Sequence, residues 1–134
     1  MAKSLILETS FLIDIERERI AQTEGIAHQF LDRYPNSHLF ITETIAGELA
    51  SGGSMDSRPN WEAFLAPFGI LQIDRGVAWK YGRIYRYLRS NGMLIGANDL
   101  WIAATAIEHG YPVVTRDSAH YRRVPDLEIL DYAD

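Results

Sequence analysis

The chain has 134 residues, no cysteine and a formal net charge of −5, from 13 basic and 18 acidic side chains. Its length and its 47% hydrophobic residues are typical of one globular unit, and we predict a single domain over residues 1–134. The lack of cysteine excludes disulfide scaffolds, thiolate metal sites and cysteine nucleophiles, and the negative charge argues against a generally basic nucleic-acid-binding surface. No apolar run reaches the roughly 18 residues that span a bilayer, so we expect a cytoplasmic protein without membrane contact.

The first half of the chain alternates short apolar runs with segments of helical periodicity. The apolar runs predict strands at 5–7 and 38–42. The periodic segments predict three helices, at 11–17, 26–34 and 43–50. Thr9 and Ser10 can cap the first of these helices. The polar segment 51–60, which contains Gly, Ser and Pro, is predicted to be a long loop.

The second half repeats this alternation. We predict strands at 70–73, 112–115 and 127–130, and helices at 61–65, 77–89 and 100–109. The helix at 77–89 is the most clearly amphipathic. Its apolar arc is formed by Val77, Tyr81, Ile84, Tyr85 and Leu88. Its basic arc is formed by Lys80, Arg83, Arg86 and Arg89.

Short strands alternating with helices predict an α/β fold. In the three-layer arrangement that we expect, a short, mostly parallel β-sheet of about four to five strands is flanked by helices. Ligands of such folds bind beyond the carboxyl ends of the strands. The residues directly after each strand are therefore the first candidates for chemistry.

Acidic side chains occupy several of these positions. Three follow predicted strands, namely Glu8, Asp74 and Asp117. Asp99 begins a predicted helix, and Glu48 lies on another. Carboxylates that converge on one edge of a sheet repel one another unless a cation neutralises them, and oxygen ligands without cysteine favour Mg²⁺ or Mn²⁺ over zinc. Such a site can hydrolyse a phosphodiester bond.

Four of these five acids also have a purely structural interpretation, and Glu8 is the hardest to dismiss because it ends an apolar strand. Asp74 and Asp99 are good helix N-caps. Asp117 suits a turn after a strand, and Glu48 can be an exposed helical residue. Spacing alone leaves these alternatives open.

Four motifs carry a resemblance to a known family. They are LETSFLID at 7–14, ITETIAGEL at 41–49, GANDLWIAA at 96–104 and VTRD at 114–117. In this order, and over almost the whole chain, they resemble the PIN-domain ribonucleases, specifically the VapC toxins of toxin–antitoxin pairs. The resemblance implies a small PIN-like α/β domain that cleaves RNA as an endonuclease and needs Mg²⁺ or Mn²⁺. It also implies inhibition by a cognate VapB-like antitoxin and assembly as a homodimer.

Carried over residue by residue, the resemblance implies a site of four acids. The implied catalytic residues are Glu8, Glu48, Asp99 and Asp117, and the implied metal ligands are Glu8, Asp99 and Asp117. The hydroxyls of Thr9, Ser10 and Thr115 are implied to support the site or contact phosphate.

The first acid departs from the family pattern. It is ordinarily aspartate, and here it is Glu8, whose extra methylene moves the carboxylate by about one C–C bond; a misplacement of about 1 Å can cost roughly a factor of 10² in rate. We therefore expect an attenuated nuclease. The alternative is a catalytically impaired module that binds RNA or a protein without cleavage. An aspartyl-phosphate phosphatase is disfavoured, because that chemistry needs an aspartate nucleophile after the first strand.

The basic arc of the amphipathic helix suggests a contact surface. Lys80, Arg83 and Arg86 are candidates for contact with RNA phosphates or with an acidic antitoxin segment. The alternative is a solvated helix face, with Tyr81 and Tyr85 in the core. His120 is close to Asp117 in the sequence, but we expect it to be an exposed loop residue.

Overall fold

The computed structural model describes residues 2–134 and folds them into a five-stranded sheet flanked by helices. The strands are β1 (Ser4–Leu7), β2 (His38–Thr42), β3 (Gly69–Leu71), β4 (Val113–Thr115) and β5 (Ile129–Asp131). The helices are α1 (Thr9–Ala21), α2 (Ile26–Asp32), α3 (Glu43–Ala50), α4 (Arg58–Leu65), α5 (Arg75–Ser90), α6 (Ala97–His109) and α7 (Ser118–Tyr121). Within residues 2–134, no helix is long and apolar enough to cross a membrane.

The sheet is entirely parallel and has the strand order β3-β2-β1-β4-β5. The chain builds outward from β1 to β2 and β3 on one side, and then returns to place β4 and β5 on the other. The direction of winding therefore reverses beside β1, between β1 and β4. Such a reversal opens a crevice at the carboxyl ends of the two strands, which here are followed by Glu8 and by Arg116 and Asp117.

The centre of the sheet forms the middle of the core. Leu5, Ile6 and Leu7 of β1 and both valines of β4 are at most 1% exposed. Continuous apolar runs of this kind fit a parallel sheet that is covered on both faces. Ala103 and Ala104 of α6 are fully buried, as their small size allows.

The predicted α/β architecture is confirmed, and β2 and α3 have the predicted bounds. Most other elements differ from the predicted bounds by a few residues at their ends, and two segments differ in the type of structure. Helix α4 begins within the predicted loop at 51–60, because Ser57 accepts a hydrogen bond from the Asn60 amide and Pro59 suits a first helical turn. Residues 118–121 form the single-turn helix α7, so His120 lies on a helix and not in a loop.

Two predicted helix starts also need correction. The N-cap of α1 is Glu8, whose carboxylate accepts from the Ser10 amide, and neither Thr9 nor Ser10 takes that place. The N-cap of α6 is Gly96, which leaves Asp99 in the first turn with its carboxylate free for other contacts. Asp74, in contrast, caps α5 by accepting from the Val77 amide.

The amphipathic helix α5 buries fewer aromatic residues than its predicted apolar arc contains. Ile84 and Leu88 are buried as expected. Tyr81 is half-buried and stacks on Trp101 with ring centroids 4.0 Å apart. Tyr85 is 36% exposed and lies outside the core. The tyrosines therefore form an aromatic surface between α5 and α6.

Candidate active site

Three of the predicted acids meet in one cavity at the carboxyl edge of the sheet. Glu8 follows β1, Asp117 follows β4, and Asp99 lies in the first turn of α6. The cavity has a volume of about 500 Å³. Its wall is completed by Arg116 and by four residues of α7: Ser118, Ala119, His120 and Tyr121.

Glu8 is the most deeply placed acid, with only 6% of its surface exposed. Its Oε1 accepts hydrogen bonds from the Ser10 amide (2.9 Å), the Ser10 hydroxyl (2.7 Å) and the Thr115 hydroxyl (3.1 Å). Burial raises the pKa of Glu8 and outweighs these hydrogen bonds, which act to lower it; the charge of Asp117 raises it further. The negative charge of Glu8 is therefore incompletely compensated by its surroundings.

Tyr121 links two of the acids and was missed by the sequence analysis. Its side chain is 1% exposed, and its hydroxyl lies 3.4 Å from Glu8 Oε2 and 3.2 Å from Asp99 Oδ1. Burial and the charges of Glu8 and Asp99 raise the pKa of Tyr121, so the phenol stays protonated and donates. Nothing in the sequence periodicity of a single-turn helix signalled this contact.

His120 is exposed, as expected, but it also reaches the site. Its Nδ1 lies 3.3 Å from Asp99 Oδ2, although more than half of its side chain is exposed. The Asp99 carboxylate thus contacts α7 through both oxygens.

Glu48, the fourth predicted acid, lies beside the cavity and does not line it. Its half-buried carboxylate accepts from the Thr9 hydroxyl at 2.7 Å and from the Asn98 amide group at 3.4 Å. Since Thr9 follows Glu8 and Asn98 precedes Asp99, these contacts fix α3 against the two segments that carry the deeper acids.

The three predicted supporting hydroxyls all contact acids or their neighbours. Ser10 and Thr115 hold Glu8, and Thr9 holds Glu48. Thr115 Oγ1 also accepts from the Asp117 amide at 2.9 Å, which fixes the turn after β4. The Asp117 side chain itself is exposed at the mouth of the cavity.

The donor chemistry of this site fits a hard divalent cation. Carboxylates supply the oxygen ligands that Mg²⁺ and Mn²⁺ prefer, and a bound cation would compensate the charge of the buried Glu8. In the described side-chain arrangement of residues 2–134, however, no three His, Cys, Asp or Glu residues are grouped closely enough to hold a metal ion. The Tyr121 hydroxyl instead makes the link between Glu8 and Asp99.

Comparison with known proteins relates this site to one family. The family model described as PIN domain matches residues 5–127. Ribonuclease VapC of Rickettsia bellii is 31% identical, with 94% of each chain covered. Ribonuclease VapC1 of Methanocaldococcus jannaschii is 38% identical, over 96% of this chain and 86% of that protein.

Solved structures share the fold. The VapBC-1 structure from nontypeable Haemophilus influenzae matches with a TM-score of 0.79 and 24% identity, covering 98% of this chain and 99% of that chain. The VapBC2 structure from Rickettsia felis, bound to a promoter DNA fragment, matches with a TM-score of 0.78 and 23% identity over 95% and 97%. The resemblance found in the sequence motifs is confirmed: this chain belongs to the PIN domain family and, within it, to the VapC group.

Proposed function

We propose that this chain is a metal-dependent endoribonuclease that acts in the cytoplasm as the toxin of a toxin–antitoxin pair. The observation that carries the proposal is the meeting of Glu8, Asp99 and Asp117 in one cavity at the carboxyl edge of the sheet. The curated relatives are named ribonucleases, which makes RNA the substrate to test first.

Glu8, Asp99 and Asp117 are the residues that would hold the cation, and Mg²⁺ or Mn²⁺ is the ion that we propose. When bound, such an ion supplies Lewis acidity and lowers the pKa of a water molecule. Ser10 and Thr115 orient the Glu8 carboxylate by three hydrogen bonds.

Glu48 has a different proposed role at the rim of the site. Thr9 fixes one of its oxygens at 2.7 Å, while the other lies 3.4 Å from the Asn98 amide. A half-buried carboxylate in this position can accept a proton from water or hold that water in place for attack on phosphorus.

A second candidate function is a PIN-fold module that binds RNA or a protein without cleavage. One observation favours it: within residues 2–134, no three potential ligands are grouped closely enough to hold a metal ion. It also agrees with the expectation, from the family resemblance, that an aspartate ordinarily stands at the position of Glu8. Metal-dependent RNA cleavage by Glu8→Asp would favour the nuclease. Its absence in that variant would favour the binding module.

The proposed partners are RNA, a VapB-like antitoxin and a second copy of this chain. A structure from Klebsiella pneumoniae that shares the fold, with a TM-score of 0.71, is described as a toxin–antitoxin complex. Helix α5 is a candidate contact surface because it contains five basic and no acidic residues. Its exposed Trp79 has Arg83 over its ring at 4.8 Å.

We retain Lys80, Arg83 and Arg86 as proposed contacts for RNA or for an acidic antitoxin segment. The Lys80 ammonium lies 3.9 Å from the Glu108 carboxylate at a partly exposed position. Such a pair is weak, so Lys80 can leave Glu108 and bind a partner instead. Arg83 and Arg86 line a shallow apolar groove on the outer face of α5.

The deciding experiment measures cleavage of a small-RNA pool with Mg²⁺, with Mn²⁺ and with chelator. We expect metal-dependent products from the unmodified chain and their loss in Asp99→Asn, which removes a charge at the cavity. Glu24→Gln is the matched control, because it removes the same charge from an exposed loop. Calorimetric titration with each metal should show weaker binding only for Asp99→Asn.

Cleavage that survives both chelator and Asp99→Asn would contradict the proposed site. If the chain binds RNA but does not cut it under any of these conditions, the binding module replaces the nuclease.

A further inference from the structure

The wall of the acidic cavity contains one permanently charged cation, the guanidinium of Arg116. Arg116 follows β4 directly and stands between Thr115 and Asp117. Its side chain is 41% exposed, and its Nη1 lies 3.0 Å from Asp14 Oδ2. Neither Arg116 nor Asp14 had a predicted role in the site.

Asp14 holds this guanidinium from a buried position on α1. Its side chain is only 10% exposed, and the same Oδ2 accepts a 2.6 Å hydrogen bond from the Tyr132 hydroxyl. Tyr132 is 3% exposed and packs edge-to-face on Phe11, with ring centroids 4.9 Å apart. Burial and the bond to Asp14 raise the pKa of Tyr132, so its hydroxyl remains a donor. The carboxylate that anchors Arg116 is thus itself fixed by the core.

The backbone of Arg116 is tied to the deepest acid of the site. Its amide donates to the Ser10 hydroxyl at 3.3 Å, and that hydroxyl donates to Glu8 at 2.7 Å. Both the backbone and the head group of Arg116 therefore have fixed positions relative to the cavity.

The negative charge of the cavity indicates that an anionic substrate needs a cation to bind there. A phosphodiester that enters meets Glu8, Asp99 and Asp117, with Glu48 beside them, and one divalent ion neutralises only two of these four charges. An anionic substrate is repelled unless another cation faces it. Arg116 pairs with Asp14 through one of three guanidinium nitrogens, and a guanidinium can bind phosphate oxygens with two donors at once.

We propose that Arg116 binds a phosphate of the RNA substrate inside the cavity, and that Asp14 and Tyr132 are positioning residues for its guanidinium. This inference rests on the proposed function, since it names the group that receives the substrate of the same site. The alternative is a purely structural role, in which Arg116 only neutralises the buried Asp14.

The test measures binding of a fluorescent single-stranded RNA at several salt concentrations, with Asp99→Asn present in every variant to prevent cleavage. Adding Arg116→Gln is expected to weaken binding about tenfold or more, as for a lost charge-assisted contact. The slope of log affinity against log salt should fall by about 0.7, the value for one phosphate contact on a single strand. Arg58→Gln is the matched control, because Arg58 is exposed on α4, remote in the sequence from every residue of the cavity wall.

Two further variants separate phosphate binding from support of the fold. Arg116→Lys keeps the charge and should keep the salt slope while it loses affinity. Tyr132→Phe removes one neutral hydrogen bond from Asp14 and should weaken binding about threefold with an unchanged slope. Melting temperatures of all variants are measured in parallel.

The assignment of Arg116 is overturned if Arg116→Gln behaves like Arg58→Gln in affinity and slope, whatever its melting temperature, or if no variant binds RNA. If RNA binds through Arg116 while the unmodified chain never cuts RNA, the phosphate contact stands and the nuclease proposal alone fails.

Discussion

Two glutamates cap helices in this chain, and their pKa values move in opposite directions. Glu8 accepts a hydrogen bond from the Ser10 amide at the start of α1. Burial outweighs the hydrogen bonds to its carboxylate and raises the pKa of Glu8. At Glu18, on the last turns of α1, burial also acts to raise the pKa. Hydrogen bonds from His28 and from neighbouring backbone amides outweigh it, however, and the pKa of Glu18 is lowered.

The donors around Glu18 explain the difference. Its carboxylate accepts from the amides of Gly25 (2.9 Å), Ala27 (3.0 Å) and His28 (3.0 Å) at the start of α2, and lies 2.6 Å from His28 Nδ1. These donors contact both oxygens of the Glu18 carboxylate. The positive end of the α2 dipole also stabilises its negative charge.

Three of the four donors to Glu8 are on Oε1, whereas Oε2 has only the long 3.4 Å hydrogen bond from Tyr121. Glu18, whose carboxylate is saturated with hydrogen bonds, therefore has a structural role, whereas Glu8, whose charge is incompletely compensated, is the acid that we propose as a metal ligand.

Glu8→Asp should have the largest effect. It introduces the shorter side chain that the family resemblance implies at this position, and we expect RNA cleavage to increase by roughly 10², the effect of correcting a displacement of about 1 Å. Initial rates with Mn²⁺ measure it. Glu24→Asp, the same shortening at an exposed position, should leave the rate unchanged. An unchanged or lower rate in Glu8→Asp would show that the glutamate is itself the competent ligand.

Tyr121→Phe tests whether the phenol relieves the repulsion between Glu8 and Asp99. Loss of this buried donor should lower the free energy of unfolding by about 1–3 kcal/mol in chelator, and added Mn²⁺ should recover more stability in the variant than in the unmodified chain. Thermal denaturation with and without Mn²⁺ measures both.

Tyr111→Phe is the matched control, since Tyr111 stacks on Phe40, next to the sheet and away from the acids. Equal recovery in Tyr121→Phe and in the unmodified chain would mean that the hydroxyl does not compete with a cation for the two carboxylates.

The sequence predicted the sheet and the acids far better than the contacts between them. Apolar runs and the polar residues that end them are local signals, so β2 and the positions of Glu8 and Asp117 could be read directly. Helix α7 is one turn long, too short for a periodicity, so Tyr121 was missed and His120 was predicted to be a loop residue. Asp14 looked like an ordinary polar position on α1, because its partners Arg116 and Tyr132 are more than 100 residues away.

Glu18→Gln should have the smallest effect and should act on stability alone. The amide keeps one acceptor oxygen but loses the charge, so we expect a loss of about 0.5–2 kcal/mol near neutral pH, as for other helix caps. Because folding lowers the pKa of Glu18 from its usual 4.5, the charged carboxylate stabilises the fold above that pH, and this stabilisation is lost as the pH falls through the lowered value. The stability curves of the variant and the unmodified chain should therefore converge in acid.

Urea denaturation across this pH range measures the convergence, with Glu24→Gln as the exposed control. Curves that stay parallel into acid would mean that Glu18 acts through the shape of its side chain and not through its charge. RNA cleavage by Glu18→Gln should equal that of the unmodified chain, because this carboxylate contacts α2 and not the cavity. A change in cleavage would therefore contradict the distinction between Glu8 and Glu18, since Glu18, whose carboxylate is saturated with hydrogen bonds, would then also contribute to RNA cleavage.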